Sequence, residues 1–165
     1  MRKYLVVAVD SSRARFFCLV PAEVPEMESG PNLQEIEDLV NPELEEKGRD
    51  LWSEDKSGRG MAPASGAAHG YDDHRDRHIE ELEQRFARQV TSQVSRQAQQ
   101  HRSEVVVIAA EHRMLGYLRE ALKANLPGGV ELADTDLNIS KLNIIELQEH
   151  LAKKGLVPAR TPPHG

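Results

Sequence analysis

The residues whose types and spacing come nearest to chemistry are carboxylates. Asp10 follows the first apolar run, Glu80 and Glu83 lie one helical turn apart, Glu111 follows the run 104–110, and Asp134 and Asp136 follow a third short run. Two magnesium ions need several hard oxygen ligands within a few ångströms, and acids at strand ends and on a helix could supply them. A metal-dependent nuclease would use Asp10, Glu83, Glu111 and Asp136 in this way. Each acid also has an ordinary role. Asp10 belongs to the turn formers Asp10-Ser-Ser-Arg13, Glu80 and Glu83 suit the amino-terminal half of a helix, and Glu111 begins one.

Other constellations are weaker. His74 and His78 fall at i,i+4 beside Asp72, Asp73 and Asp76, which could hold a transition metal. Arg75 follows His74, so there is no His-Glu-x-x-His, and paired histidines on a solvated first turn are more often incidental. Lys56-Ser57-Gly58-Arg59-Gly60 lacks the Gly-Lys-Ser/Thr ending of a phosphate loop. As a flexible arm it could touch RNA phosphates, or it is simply a surface loop. Arg13 and Arg15, with Arg85 and Arg88, could form a basic face. Helix pairs such as Glu81–Arg85 explain the helical arginines equally well, and no aromatic residue interleaves with them. Cys18 lies in an apolar strand with no neighbour to lower its pKa, and no Gly-x-Ser-x-Gly is present. Serine or cysteine hydrolysis is therefore not expected.

These residues hang on a sheet organised around Glu104-Val-Val-Val-Ile-Ala-Ala110, an unbroken apolar run of the kind buried on both faces in a parallel sheet. Tyr4–Val9 and Ala14–Val20 read as a hairpin across Asp10–Arg13, and Leu33–Val40 as a half-exposed third strand. Ile79, Leu82, Phe86, Val90 and Val94 recur at helical spacing and predict a helix over 72–102. All six acids of that segment lie at or before Glu83, and four of its six arginines come after it. Met114, Leu115, Leu118 and Leu122 predict a second helix stopped by Pro127-Gly-Gly129, and Asn143-x-x-Glu146 a capping box that opens a third. Three strands followed by two crossover units give an α/β fold, a ribonuclease-H-like mixed five-stranded sheet with the run 104–110 beside the first strand. The reading is a single domain over 1–155, with a mobile loop at 43–70 and a flexible tail at 156–165.

Composition narrows the class. Aromatics are only 4% against 39% hydrophobic residues, so the core must be aliphatic. A net charge of −6 argues against a generic nucleic-acid binder and against a DNA partner, and leaves room only for a local basic face. One cysteine rules out an internal disulfide, and Asp10 cuts short the first apolar run before it could serve as a signal or a span. A cytoplasmic protein without cofactor or membrane insertion is expected.

Several stretches resemble the bacterial host attachment protein family, which takes its name from a plant-associated attachment phenotype. They are Asp10-Ser-Ser-Arg-Ala-Arg-Phe16, Asp38-Leu-Val-Asn-Pro42, Arg49-Asp-Leu51 with Asp55-Lys-Ser-Gly-Arg59, Phe86-Ala87 and Asp136-Leu137. The likeness runs over residues 3–152. That family is in turn similar to the middle domain of archaeal and eukaryotic peptide-chain release factors, in which the loop before the long helix carries Gly-Gly-Gln. Here the corresponding stretch, 57–70, has no Gly-Gly-Gln, so peptidyl-tRNA hydrolysis by that route is not implied. The resemblance implies instead a non-enzymatic, release-factor-like module that binds a ribosome or another RNA-containing partner in translation stress, rescue or hibernation. Lys56, Ser57, Gly58, Arg59, Gly60, Arg85 and Arg88 would make that contact, and the link to host-cell attachment would be indirect. A metal-dependent nuclease and a protein-binding adaptor are the alternatives.

Overall fold

The computed structural model describes residues 1–43 and 65–164, with side chains for all of these except 65–74. Along the chain come β1 (Tyr4–Val9), β2 (Arg13–Val20), β3 (Asn32–Val40), α1 (Ser65–Gln100), β4 (Val105–Ala110), α2 (His112–Asn125), β5 (Glu131–Asp136) and α3 (Ile144–Lys153). The strands form one mixed sheet in the order β3-β2-β1-β4-β5. β1, β2 and β3 pair antiparallel, whereas β1, β4 and β5 run parallel. The run 104–110 reads as the middle of the sheet, but the middle strand is β1; β4 lies beside it, one in from the β5 edge, and all six of its residues are buried because helices cover both faces there.

Alternation along β4 divides the core in two. Val106, Ile108 and Ala110 face the layer of α1 and α2, meeting Phe86, Val90, Val94, Met114, Leu115 and Leu118. Val105, Val107 and Ala109 face the other layer, where Leu147 and Leu151 of α3 and Val157 cover them. Each large side chain sequestered here contributes about 2 kcal/mol of transfer free energy. The sheet is thus buried on both faces at its centre. β3 shows how an edge strand adapts. Phe16 pairs with Glu37 and Phe17 with Glu35, so Ile36 is the extra residue of a β-bulge. The phase of the strand flips there: Leu33 joins the α3 layer, while Ile36 and Leu39 pack in the α1 layer.

α1 is longer than its periodicity predicts. It begins at Ser65 rather than Asp72, so the end of the expected 43–70 loop is helical; residues 44–64 lie outside the described residues. Glycines 66 and 70 read as loop in the sequence, and the apolar stripe that marks a helix starts only at Ile79. From residue 75 onward, where side chains are described, residues 75–81 are exposed or half-buried and Leu82 is the first buried position. At 1.5 Å per residue the 36-residue helix is about 54 Å long, against about 20 Å for a six-residue strand, so its amino-terminal part overhangs the sheet. At its other end Arg102 (φ 51°) takes the left-handed turn usually given to glycine, and Ser103 N–H closes on the Ala98 carbonyl at 2.9 Å.

Both remaining helices start as their residues direct. Glu111 caps α2 by accepting from Arg113 N–H at 2.6 Å. Asn143 caps α3 by accepting from Glu146 N–H at 2.9 Å, and its side-chain Nδ2, rather than its backbone N–H, donates to the Glu146 carboxylate at 2.8 Å. The carboxyl-terminal residues, which read as a tail in the sequence, make specific contacts. Thr161 and Gly30 exchange backbone hydrogen bonds at 2.8 and 3.1 Å, and His164 N–H donates to the Pro25 carbonyl. The buried Gln148 amide ties α3 to both segments, accepting from Leu33 N–H and donating to the Pro31 and Pro158 carbonyls. Gly30 itself is needed for the close packing of the β2–β3 loop, since a Cβ there would stand 2.7 Å from that of Ala22. Among the described residues no helix is long and apolar enough to cross a membrane.

Candidate functional site

Parallel pairing sets Val9, Ala110 and Asp136 side by side, so Asp10 and Glu111 leave adjacent strands at one edge of the sheet. α1 returns over this edge, and Glu83 meets Arg113 of α2 there at 3.1 Å. The carboxylates expected to gather therefore lie along one edge. They do not gather into a metal site. Among the described residues no three His, Cys, Asp or Glu side chains stand close enough to hold a metal ion.

Glu80 is exposed on α1, and the other acids are instead engaged one by one. One oxygen of Asp10 accepts from Ser12 N–H, Ser12 Oγ and Arg13 N–H at 2.8, 3.0 and 2.8 Å, which builds the β1–β2 turn. Its other oxygen accepts from Ser140 Oγ at 2.7 Å and pins the segment after β5. Glu111 is the α2 cap. Asp136 faces the exposed ring of His112 at 3.2 Å. Asp134 is gripped by Arg119 through two hydrogen bonds at 3.0 and 2.7 Å, which hold its carboxyl below the usual range. Glu83 differs from the rest: its side chain is 2% exposed and one oxygen accepts from Arg113, while the other makes no hydrogen bond among the described residues. Burial pushes this carboxyl up, Arg113 opposes the shift, and the neighbouring charges of Glu111 and Glu80 add to it.

The expected basic face divides into two halves. Arg13 forms a two-pronged pair with Asp38 at 2.7 and 2.5 Å and holds that carboxyl low. Arg15 is more deeply committed. Its side chain is 11% exposed, binds Glu35 at 2.8 Å, donates to the Ser140 and Leu142 carbonyls at 2.9 and 2.7 Å, and lies 5.0 Å above the Phe17 ring. The hairpin arginines are fold elements rather than a solvated face. On α1, Arg85 pairs with Glu43 at 3.2 Å rather than with Glu81. Arg88 and Arg96 are exposed, and neither pairs with an acid among the described residues. From Gln84 to Ser103 the chain has no acid at all.

Beside Arg88, α1 and α2 leave a groove of about 500 Å³ lined by Gln84, Ala87, Arg88, Tyr117, Glu120 and Ala121. Tyr117 packs partly on the core, and its sequence position, 29 residues from Arg88, gave no sign that the two would be neighbours. Lys56, Ser57, Gly58, Arg59 and Gly60 lie outside the described residues, as does the side chain of His74; His78 is exposed. Cys18 is half-buried, and burial raises its thiol, which suits an unreactive strand residue.

A family model described as "Protein required for attachment to host cells" matches residues 5–151. No curated protein matches the chain.

Proposed function

This chain belongs to the family of proteins required for attachment to host cells, and from that premise we propose that it is a non-enzymatic, release-factor-like binding module whose partner contains RNA. The observation that carries this reading is the exposed face of α1 after Glu83, where Arg88 and Arg96 are unpaired among the described residues and glutamine and serine replace acids. Unneutralised arginines amid hydrogen-bonding amides suit a phosphate backbone. The order β3-β2-β1-β4-β5 is also that of the ribonuclease-H-like sheet, to which release-factor middle domains belong, and this supports the release-factor likeness. In both cases a segment leads from the third strand into a long helix. Residues 56–60, with Lys56 and Arg59, fall in that segment and would extend the contact. The acids at the sheet edge favour a structural role over metal-dependent nuclease chemistry, because Asp10 is held by a turn, Glu111 by its cap, and Glu83 and Asp134 by arginines. Ribosome binding in stress or rescue, inside the cytoplasm, would link to attachment only indirectly.

Co-sedimentation with ribosomes from stationary-phase cells tests this. The protein should travel with ribosomes at low salt and be released at moderate salt, as counterion release requires. Arg88→Gln with Arg96→Gln, and separately Lys56→Ala with Arg59→Ala, should each reduce the bound fraction. Absence from ribosomal fractions at both salts defeats the proposal. Capture of a protein partner that survives ribonuclease would move the function to an adaptor in attachment.

A further inference from the structure

The α1–α2 groove supplies what the linear sequence lacks, an aromatic surface next to an unpaired cation. Resting on the RNA reading above, we infer that this groove seats one unstacked nucleotide of a single-stranded RNA, with its base against Tyr117 and a neighbouring phosphate on Arg88. Tyr117 is half-buried, so core packing holds its ring in place before any ligand arrives, and its hydroxyl has no partner among the described residues. Base stacking on such a fixed ring needs little ordering of the protein. Ala87 and Ala121 are the smallest side chains of the lining and leave a slot between the two helices. At about 500 Å³ that slot falls within the range of small-ligand pockets.

Polar groups surround the slot on both walls. Gln84 and Glu120 are exposed and make no hydrogen bond among the described residues. The Gln84 amide can both donate and accept at a base edge, and the Glu120 carboxylate can accept from an exocyclic amino group. A carboxylate in the slot also repels phosphate, so the backbone should pass on the α1 side, along Arg88 towards Arg96. Charge complementarity favours that track, since the α1 surface from residue 84 onward is free of acids. A duplex keeps its bases stacked inside and cannot offer one to the ring. Single strands are therefore the ligand.

The test is fluorescence anisotropy of a labelled ten-nucleotide oligoadenylate and of an RNA duplex of the same length, with the full chain. The single strand should bind more tightly than the duplex. Tyr117→Leu should weaken single-strand binding about 10-fold, and Tyr117→Phe, which keeps the ring, should stay near the parent. Ala121→Leu, one helical turn from Tyr117, fills the slot while keeping the ring and should weaken binding similarly, and urea midpoints near the parent's for both variants guard against misfolding. Arg88→Gln should lower affinity and reduce the steepness of the salt dependence by about one phosphate contact. If the parent binds ribosomes but Tyr117→Leu and Ala121→Leu bind oligoadenylate as well as the parent does, the groove is not the site and the RNA reading survives. If the parent binds neither ribosomes nor the oligonucleotide, both fail together.

Discussion

Two charged regions of this molecule are built on opposite terms. At the edge where β1, β4 and β5 end, charges come in closed sets: Asp10 with its turn and Ser140, Asp134 with Arg119, Glu83 with Arg113. Along the exposed side of α1 beyond Glu83, the arginines at 88 and 96 have no acid among the described residues. A paired charge has already exchanged water for a protein partner, and little further energy is released when a ligand approaches it. An unpaired exposed arginine keeps its whole interaction for something outside the chain. Acids at strand ends resemble a catalytic cluster by position, yet it is their occupancy that decides. The same test places the hairpin arginines with the fold and leaves Arg88 and Arg96 as the residues the proposed partner would engage.

The contrast breaks most visibly at Arg15. Removing its side chain strands Glu35 and leaves the Ser140 and Leu142 carbonyls without their donor, all in a partly buried site. Arg15→Ala should cost about 3 kcal/mol, close to the lower end for breaking a buried pair. Urea unfolding should show this as a lower midpoint with an unchanged slope. Arg15→Lys should recover only part, because an ammonium cannot reach two carbonyls and a carboxylate in the fork geometry of guanidinium. A loss below about 0.5 kcal/mol for Arg15→Ala, the range of ordinary surface changes, would place Arg15 with the free arginines instead.

Glu83 sharpens the comparison, because among the described residues it is the paired acid with a buried oxygen left unsatisfied. Arg113→Ala should destabilise the protein by about 2 kcal/mol at neutral pH, less than a fully buried pair since Arg113 is half exposed. Adding Glu83→Gln should return part of that loss, which a thermal melt of the double variant would reveal. The pH dependence has a definite sign. Burial lifts the folded-state carboxyl above its unfolded value, so the folded chain holds that proton more tightly. This group's contribution is fully present in acid and declines as pH rises from the ordinary carboxylate range through the lifted value. Asp38 and Asp134, held low by Arg13 and Arg119, act oppositely: their contribution is present above the ordinary range and fades as pH falls through the depressed value. Relative to the parent, Glu83→Gln should therefore gain stability with rising pH across the mildly acidic range. A flat difference would mean that Glu83 is not lifted.

How much of this was legible in the sequence follows from the range of each interaction. Local signals came through. The unbroken run 104–110 announced a strand buried on both faces, though not its place one in from the edge, and Asn143-x-x-Glu146 announced its cap and Asp10-Ser-Ser-Arg13 its turn, because each is settled by neighbours a few residues away. α1 was legible only where it touches the core. Its start was hidden because residues 65–78 lie ahead of the apolar stripe, so no periodicity reports them. The site was less legible still. Arg15 binds carbonyls 125 and 127 residues away, and Tyr117 shares a groove with Arg88 only because two helices pack side by side. Charge patterning did show the acid-free half of α1, and that signal was enough to point at Arg88. Nothing in it could separate a solvated arginine from one with a neighbouring ring.

The smallest effect on stability belongs to the free arginines, and it is the most informative. Arg88→Gln with Arg96→Gln removes two charges that make no ion pair among the described residues, at exposed positions where glutamine is as good a helix former as arginine. The urea midpoint should stay within about 0.5 kcal/mol of the parent, in contrast to Arg15→Ala. Binding should respond in the reverse order: the double variant should lose most of its salt-sensitive association with ribosomes, whereas Arg13→Gln, whose charge is already spent on Asp38, should keep it. Running stability and co-sedimentation on the same three proteins separates a charge that serves the fold from one that serves a partner. Should the double variant lose stability along with binding, the unpaired face would prove structural, and the distinction between the two regions would collapse.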